Sequence, residues 1–371
     1  MVCSEYARLW LLIESVKGIG TGRWINLSRS VPVPEIARML ESAEGRERLS
    51  RFFRRAVQAP DERFVDEQLA LVEKGGAGIV STADDDYPAM LKEITVPPPI
   101  LFYRGSLALF TRPCICIVGS RRSSRRGLVT ARRLADDLSA RGVHIVSGLA
   151  RGVDTAAHEG AIEGAGGTSA VLGSGVDTIY PSENAALAER IRMNGCLLSE
   201  FPLGTPPFKH HFPQRNRILS GLSLGVVVVE GDLDSGAMGT ARWAAEQNRD
   251  VFAVPGPIDH PGSRGPHRLI RDGARLVETV DDILAEYSAR MAACAEPARY
   301  AGASPAETLS PQERVVLSAL DLDPKHIDEL VRFCDISPTA ILPILLNLEM
   351  RGVIMSCGGG LYALASPRAA G

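Results

Sequence analysis

The chain is 371 residues long, enough for two or three domains of ~100–200 residues each. Its 45% hydrophobic and 23% charged residues are the proportions of an ordinary globular protein and exclude a disordered or low-complexity chain. The formal net charge is only -3, so a polyanion would have to be held by a local basic patch, since the global field is too weak.

No stretch approaches the ~20 apolar residues that span a bilayer. The N-terminus lacks the basic, then apolar, then small-residue signature of a secretory signal. A cytoplasmic protein with no membrane partner is expected. The seven cysteines stand at 3, 114, 116, 196, 294, 334 and 357. None forms a C-x-x-C pair and their number is odd, so neither a zinc site nor a disulfide framework is expected. Cys114 and Cys116 alternate along an apolar run and read as one face of a buried strand.

Residues 1 to about 75 carry a helical pattern. Leu9, Leu11, Leu12, Ile13 and Val16 lead into Gly18-Ile19-Gly20, and Trp24, Ile25 and Leu27 resume the apolar series. Helix, Gly-x-Gly turn and helix resemble a helix-hairpin-helix, whose turn amides can hold a phosphate. With a single copy present, a packing unit is the better reading. Residues 80–110 read as a connector, with turn signals at Asp84-Asp85-Asp86-Tyr87-Pro88 and Pro97-Pro98-Pro99. Ile100–Tyr103 is an expected edge strand.

From 113 to 287 short Val- and Ile-rich runs alternate with helical patterns. The runs are Cys114–Val118, Val143–Val146, Thr168–Leu172, Cys196–Ser199, Val226–Val229 and Val251–Val254. This is the mark of βαβ units and a mostly parallel α/β sheet buried on both faces. Residues 288–308, rich in Ala, Glu and Pro, read as a linker. From 309 to 365, Ser310-Pro311-x-Glu313 starts a helix and His326–Cys334 forms a second. Ser337–Arg351, closed by Gly352, forms a third. Val353–Met355 and Leu361–Leu364 flank Gly358-Gly359-Gly360 as a hairpin. Three helices and a hairpin predict a winged helix.

Four loops carry the chemistry, each following a predicted strand. The first is Gly119-Ser120-Arg121-Arg122-Ser123-Ser124-Arg125-Arg126-Gly127. Helix-terminal amides, hydroxyls and guanidinium forks suit phosphate oxygens there. It has neither G-x-G-x-x-G nor G-K-[ST], so dinucleotide binding and triphosphate hydrolysis are not supported. From Ile94 to Ala135 there is no Asp or Glu, but there are Arg104, Arg112, Arg121, Arg122, Arg125, Arg126, Arg132 and Arg133. That depletion points to a polyanion footprint. The second loop, Ser147-Gly148-Leu149-Ala150-Arg151-Gly152-Val153-Asp154, gives close backbone approach at Gly148 and a loop cation at Arg151. Asp154 is placed to cap the next helix, with His158 one turn on and able to pair with it. No nucleophile accompanies them, so that pair reads as structural.

The third, Lys209-His210-His211-Phe212-Pro213-Gln214-Arg215-Asn216-Arg217, is expected in a long loop, within an acid-free stretch between Glu200 and Glu230. Cations interleaved with an aromatic suit a single strand: phosphates need Lys and Arg, and an unstacked base needs a flat face, here Phe212. The fourth, Asp234-Ser235-Gly236-Ala237-Met238-Gly239-Thr240, reads as a helix-N-terminal anion site. Together the four loops would form a phosphate-binding rim along one edge of the sheet.

Ordered through 113–285, these residues resemble the DNA processing protein A family (DprA, also called Smf). The resemblance is carried by Gly119-Ser120-Arg121 with Ser124 and Gly127, and by Ser147-Gly148-x-Ala150-x-Gly152-x-Asp154 with His158. It extends through Gly173-x-Gly175-x-Asp177 before Tyr180-Pro181 and Asn184, and through Phe212-Pro213-x-Arg215-Asn216-Arg217. Ser235-Gly236 with Thr240 and Val254-Pro255-Gly256 complete it. It implies a Rossmann-like core over 80–287, flanked by a SAM- or helix-hairpin-helix-like helical domain (1–75) and a winged-helix-like domain (309–365). It also implies a non-enzymatic, cofactor-free protein that binds and protects incoming single-stranded DNA. Such a protein helps to load the RecA recombinase in natural transformation and dimerises through the Rossmann-like domain. The DNA-binding residues implied are Gly119, Ser120, Arg121, Ser124, Gly148, Arg151, Lys209, Phe212, Arg215, Asn216, Arg217, Ser235 and Gly236. Asp234 and Gly239 depart from the family pattern. The third helix of the C-terminal domain has Arg351 and Glu349 but no other cation, too little charge for reading a major groove. The alternative is a nucleoside-monophosphate-hydrolase-like enzyme on the same phosphate loops, with Glu200 or Glu230 as base.

Overall fold

The computed structural model describes residues 4–287, 310–321, 324–334, 336–351 and 353–364. The expected linker at 288–308 and the helix-closing Gly352 lie outside the described residues. Five helices come first: α1 (Glu5–Glu14), α2 (Thr21–Ser28), α3 (Val33–Glu41), α4 (Ala43–Phe53) and α5 (Glu62–Lys74). Their ends follow local rules. Asp61 caps α5 by accepting from the Phe64 amide at 3.2 Å, and the chain leaves the helix through Gly75 and the left-handed Gly76.

The sheet then builds from β1 (Gly78–Ser81), α6 (Ala89–Lys92), β2 (Ile100–Gly105), β3 (Cys114–Val118), α7 (Arg125–Ala140) and β4 (His144–Ser147). It continues with α8 (Val153–Ala161), β5 (Thr168–Val171), α9 (Ala185–Asn194), β6 (Cys196–Ser199), α10 (His211–Gly221) and β7 (Gly225–Val228). The last elements are α11 (Gly236–Glu246), β8 (Asp250–Ala253), α12 (Arg264–Arg271), β9 (Arg275–Leu276) and α13 (Val280–Leu284). The nine strands lie in the order β1-β2-β6-β5-β4-β3-β7-β8-β9. From β6 to β9 every pairing is parallel, while β1, β2 and β6 pair antiparallel.

Period-2 alternation in β3 divides the core into two layers. Cys114, Cys116 and Val118 face α10 and α11, meeting Ile218, Leu219, Leu222, Ala237 and Ala241. Ile115 and Ile117 face α7 and α8, meeting Leu134, Leu138, Val153 and Ala157. Burial drives the Cys114 thiol up to about 12 and the Cys116 thiol further, so both are inert packing groups.

Three expectations are corrected. Ile100–Tyr103 is not an edge strand: β2 lies between β1 and β6, and β1, hidden in the expected connector, forms the edge. The basic segment from His211 is helix, not loop. Nor do the N-terminal helices keep to themselves. Their core side chains Leu11, Trp24 and Leu40 share one cluster with Ile79 of β1 and Ile100 and Phe102 of β2. Gln68 of α5 locks that contact, exchanging two hydrogen bonds with the Leu203 backbone at 2.9 and 3.2 Å.

At the C-terminal end α14 (Pro311–Ala319), β10 (Lys325–His326), α15 (Ile327–Cys334), α16 (Pro338–Met350), β11 (Ile354–Ser356) and β12 (Leu361–Leu364) form a winged helix. Its sheet runs β10-β12-β11. A reciprocal Ser310–Glu313 capping box starts α14. His326, expected to begin the second helix, instead pairs with β12 together with Lys325. Gly358, Gly359 and Gly360 all take positive φ in the wing turn.

Where α1 meets the sheet, Glu14, Thr21, Pro98, Glu200 and Gln214 line a small cavity of about 190 Å³. Burial, and then the neighbouring Glu200, raise the Glu14 carboxyl to about 8, against the opposing pull of a Thr21 hydrogen bond and of Arg217. An unfolded chain ionises this group near 4.5 while the folded chain keeps the proton to about 8, so stability falls as pH rises across that interval. Glu14→Gln removes the dependence. In thermal unfolding the variant is expected to match the wild type near pH 4.5 and to exceed it increasingly towards pH 8. Coincident midpoints at the alkaline end would refute this account of Glu14.

Candidate nucleic-acid interface

The order in which the chain adds strands to the sheet reverses between the parallel β3 and β7. From β3 the chain steps through β4 and β5 to β6; from β7 it steps the other way to β8 and β9. Helical crossovers therefore diverge from the β3/β7 boundary, and a crevice opens beyond the carboxyl ends of those strands. A cleft of about 750 Å³ lies there. It is lined by the loop after β3, the start of α8, Tyr180 after β5, residues 207–219 around α10, and the start of α11.

Close approaches hold the β3 loop in place. A Cβ on Gly119 would stand 2.5 Å from the Val153 side chain and 2.9 Å from the Glu230 carbonyl, so only glycine fits. Ser120 Oγ accepts from the Arg122 amide at 3.1 Å. Glu230, just beyond β7, accepts from the Ser123 hydroxyl, the Ser124 hydroxyl and the Ser124 amide. This carboxylate ties the β3 loop to β7, and it leaves Arg121 and Arg122 exposed at the cleft.

Helix α10 explains which of its residues reach the cleft. Phe212, Arg215 and Asn216 stand at i, i+3 and i+4 and share one face, which lines the cleft. Phe212 seats on Gly173, where a Cβ would come within 3.0 Å of the ring. The Arg121 guanidinium carbon lies over the Phe212 ring at 5.1 Å, within cation–π range. The Tyr180 ring is 5.7 Å from that of Phe212. Asn216 donates from Nδ2 to the Gly236 carbonyl at 3.2 Å and so positions the first turn of α11. Ser235 Oγ is buried there without a hydrogen-bond partner. The helix's first amides have no intrahelical acceptor, which makes this terminus an anion-binding end.

Below the cations lies a buried pair. Arg215, 4% exposed, donates to the Val171 carbonyl, and its Nε has no partner. Asp154, 5% exposed, accepts from the Gly148 and Ala150 amides at 3.2 and 3.3 Å. Burial raises Asp154 to about 6, against the pull of Arg215, those two amides and Arg121. Burial also lowers the Arg215 pKa, opposed by Asp154. Among the lining residues Arg121, Arg122, Lys209 and Arg215 face Asp154 as the one carboxylate, so the cleft is net positive.

Nine of the thirteen expected residues meet in this cleft: Gly119, Ser120, Arg121, Lys209, Phe212, Arg215, Asn216, Ser235 and Gly236. Four do not line it. Ser124 caps α7, accepting from the Gly127 amide at 3.0 Å, and is held by Glu230. Gly148 lies under the Arg215 guanidinium, with which any side chain would collide. Arg151 forms a fork with Glu183, its second contact at 2.8 Å, on the neighbouring α7–α8 surface. Arg217, two residues from Arg215, points to the opposite side of α10 and is bidentate to Glu200 at 2.6 and 2.7 Å. Its charge is neutralised inside the protein, 8% exposed. Asp154 caps the β4 loop and not its helix, and His158 pairs with Thr168 at 2.7 Å and not with Asp154.

Tyr180, Arg122 and Thr240 were absent from the expected site residues. Tyr180 had a readable signal: an aromatic before Pro in the loop that leaves a parallel strand. The acid-free run from Ile94 to Ala135 does not form one footprint. Arg121 and Arg122 reach the cleft, whereas Arg112 binds the Ala165 carbonyl, Arg132 faces Glu159 at 3.7 Å and Arg133 binds the Glu278 carbonyl. Among the described residues no group of three or more His, Cys, Asp or Glu could hold a metal ion, and no helix is long and apolar enough to cross a membrane.

Comparison with known proteins decides the family. A model described as DNA recombination-mediator protein A matches residues 78–288. The chain belongs to that family. A DprA winged helix domain model matches residues 301–360. Protein Smf of Escherichia coli (strain K12) is 39% identical over 307 residues, covering 81% of each chain. DNA processing protein DprA of Streptococcus pneumoniae is 45% identical over 207 residues, which is 56% of this chain and 73% of the relative. Its X-ray structure superposes with a TM-score of 0.63 at 34% identity, over 76% of this chain and 98% of that one. DNA processing protein A from Helicobacter pylori, described by its unique single-stranded DNA binding mode, superposes at 0.53 with 29% identity. It covers 58% of this chain and 96% of that one.

In this family member the buried pair gives a direct test of the cleft floor. Arg215→Ala removes the nearby positive charge that favours ionised Asp154, at an expected loss of about 1–3 kcal/mol in urea unfolding above pH 6. Well below pH 6 Asp154 takes up a proton and the loss should shrink. A loss independent of pH would show that Asp154 and Arg215 are not coupled.

Proposed function

We propose that the cleft at the β3/β7 boundary binds single-stranded DNA. The protein then acts, without catalysis of its own, in the cytoplasm as a mediator that shields incoming DNA and helps load RecA in natural transformation. It works as a homodimer joined through the Rossmann-like domain. The observation that carries this reading is Arg121 over the Phe212 ring at 5.1 Å, with Lys209 and the α11 terminus lining the same cleft. Flat π faces take unstacked bases of any sequence, and adjacent cations take the phosphates. The single-strand binding described for the Helicobacter pylori relative supports it. The nucleotide-hydrolase alternative loses its two expected bases: Glu200 is bound by Arg217, and Glu230 by Ser123 and Ser124. The winged helix does not favour groove reading, since Arg351 of its third helix faces the buried Glu313 at 3.4 Å.

Fluorescence anisotropy with labelled single-stranded oligonucleotides over a salt series tests the reading. Binding should weaken steeply with salt and prefer single strands to duplex. Arg121→Ala should lower affinity for every sequence and reduce the logarithmic salt slope by about 0.7, the loss of one phosphate contact. Phe212→Ala should cost about 1–3 kcal/mol, the worth of one stacked base. A mononucleotide that competes as well as the oligonucleotide, or release of free base, would favour the enzyme.

A further inference from the structure

Phe208 leaves half of its surface in water, at 50% exposure, although it is a large aromatic in a well-ordered turn. The exposed His210 ring lies parallel to it within 12°, with centroids 5.7 Å apart. Together they form a ledge of two offset, stacked rings. Its mounting is rigid. The buried His211 stacks on Phe201 at 3.8 Å and 15° and meets the edge of Phe208 at 5.2 Å. The His211 amide donates to the Phe208 carbonyl at 3.0 Å, which closes the turn.

The same His211 joins the ledge to the cleft. Its Nδ1 bonds the Gly173 carbonyl at 3.1 Å, and Gly173 is the seat of the Phe212 ring. Lys209, between Phe208 and His210 in the chain, is exposed and lines the cleft that Phe212 also lines. No acid occurs between Glu200 and Glu230, so nothing from this segment repels a phosphate along the way. Rings set about a cation in chain order, Phe208, Lys209, His210 and then the half-exposed Phe212, are the pattern of successive stacking steps on one strand.

We propose that Phe208 and His210 form a second base platform. A strand that stacks a base on Phe212 passes its phosphate over Lys209 and lays the following bases on this ledge. The proposal rests on the cleft being a single-strand site, and its test separates the two. The probes are labelled oligothymidylates of about four and about sixteen nucleotides, the range that small single-strand folds cover. With the full chain, the Phe208→Ala/His210→Ala double variant should lose about tenfold in affinity for the longer probe and change by less than about twofold for the shorter. Phe208→Trp should retain the affinity. Phe212→Ala should weaken both probes alike.

Unchanged binding of the longer probe overturns the second platform while leaving the cleft intact. Equal loss on both lengths also overturns it, because the ledge would then only support the Phe212 site. A lower mass in light scattering for the double variant assigns the rings to contact between copies, and overturns it too. If the wild-type chain binds neither probe, the single-strand reading of the cleft falls and the platform with it.

Discussion

Divergence of the chain at the boundary between β3 and β7 is the constraint on which the candidate site depends. A crossover helix on a parallel sheet covers the gap between the strands it joins. Where one series of crossovers leaves to one side and the next to the other, the gap stays open. Here that opening receives loops from β3, β4, β5, β6 and β7 at once. Residues almost 120 positions apart, from Gly119 to Gly236, come to one surface only because five strands end on the same side.

Holding cations at such a place requires anions that are not themselves exposed. Three buried carboxylates do this in different ways. Glu230 gathers three donors of the β3 loop and fixes the stretch from which Arg121 projects. Asp154 lies near enough to Arg215 below the cleft for its charge to act on the guanidinium, and it accepts two loop amides. Glu200 takes the full fork of Arg217 on the far side of α10. These acids are held inside the protein, so the cleft lining keeps mainly the positive members.

The N-terminal helices extend the same framework. Their core continues into β1 and β2, and Gln68 ties α5 to the segment just after β6. Glu14 reaches the cavity that Glu200 and Gln214 also line, so the end of α1 and the helix that carries Phe212 share that cavity. The small winged-helix domain has its own core around Val316, Leu330, Ile341 and Leu345.

Much of this was legible in the residue order. Six of the seven strands in parallel pairings stand within one residue of the apolar runs that announced them, because a strand buried on both faces must be continuously apolar; the exposed two-residue β9 had no such run. The Gly119-Ser120-Arg121 and Ser235-Gly236 loops were recognisable for a similar local reason: each sits where a strand stops and a helix begins. What sequence could not decide was the direction of each side chain. Arg215 and Arg217 look alike in a row, but a helix turns about 100° per residue, which sends one to the cleft floor and the other to Glu200. The eight arginines of the acid-free run look like one patch, but the folded chain sends Arg121 and Arg122 to the cleft, Arg112 to the Ala165 carbonyl, Arg132 to Glu159 and Arg133 to the Glu278 carbonyl. Strand β1, only four residues long, was invisible until β2 supplied a partner. Local pattern determined which elements form; the angle at which each residue leaves its element, and the acid waiting there, was decided by the folded chain alone.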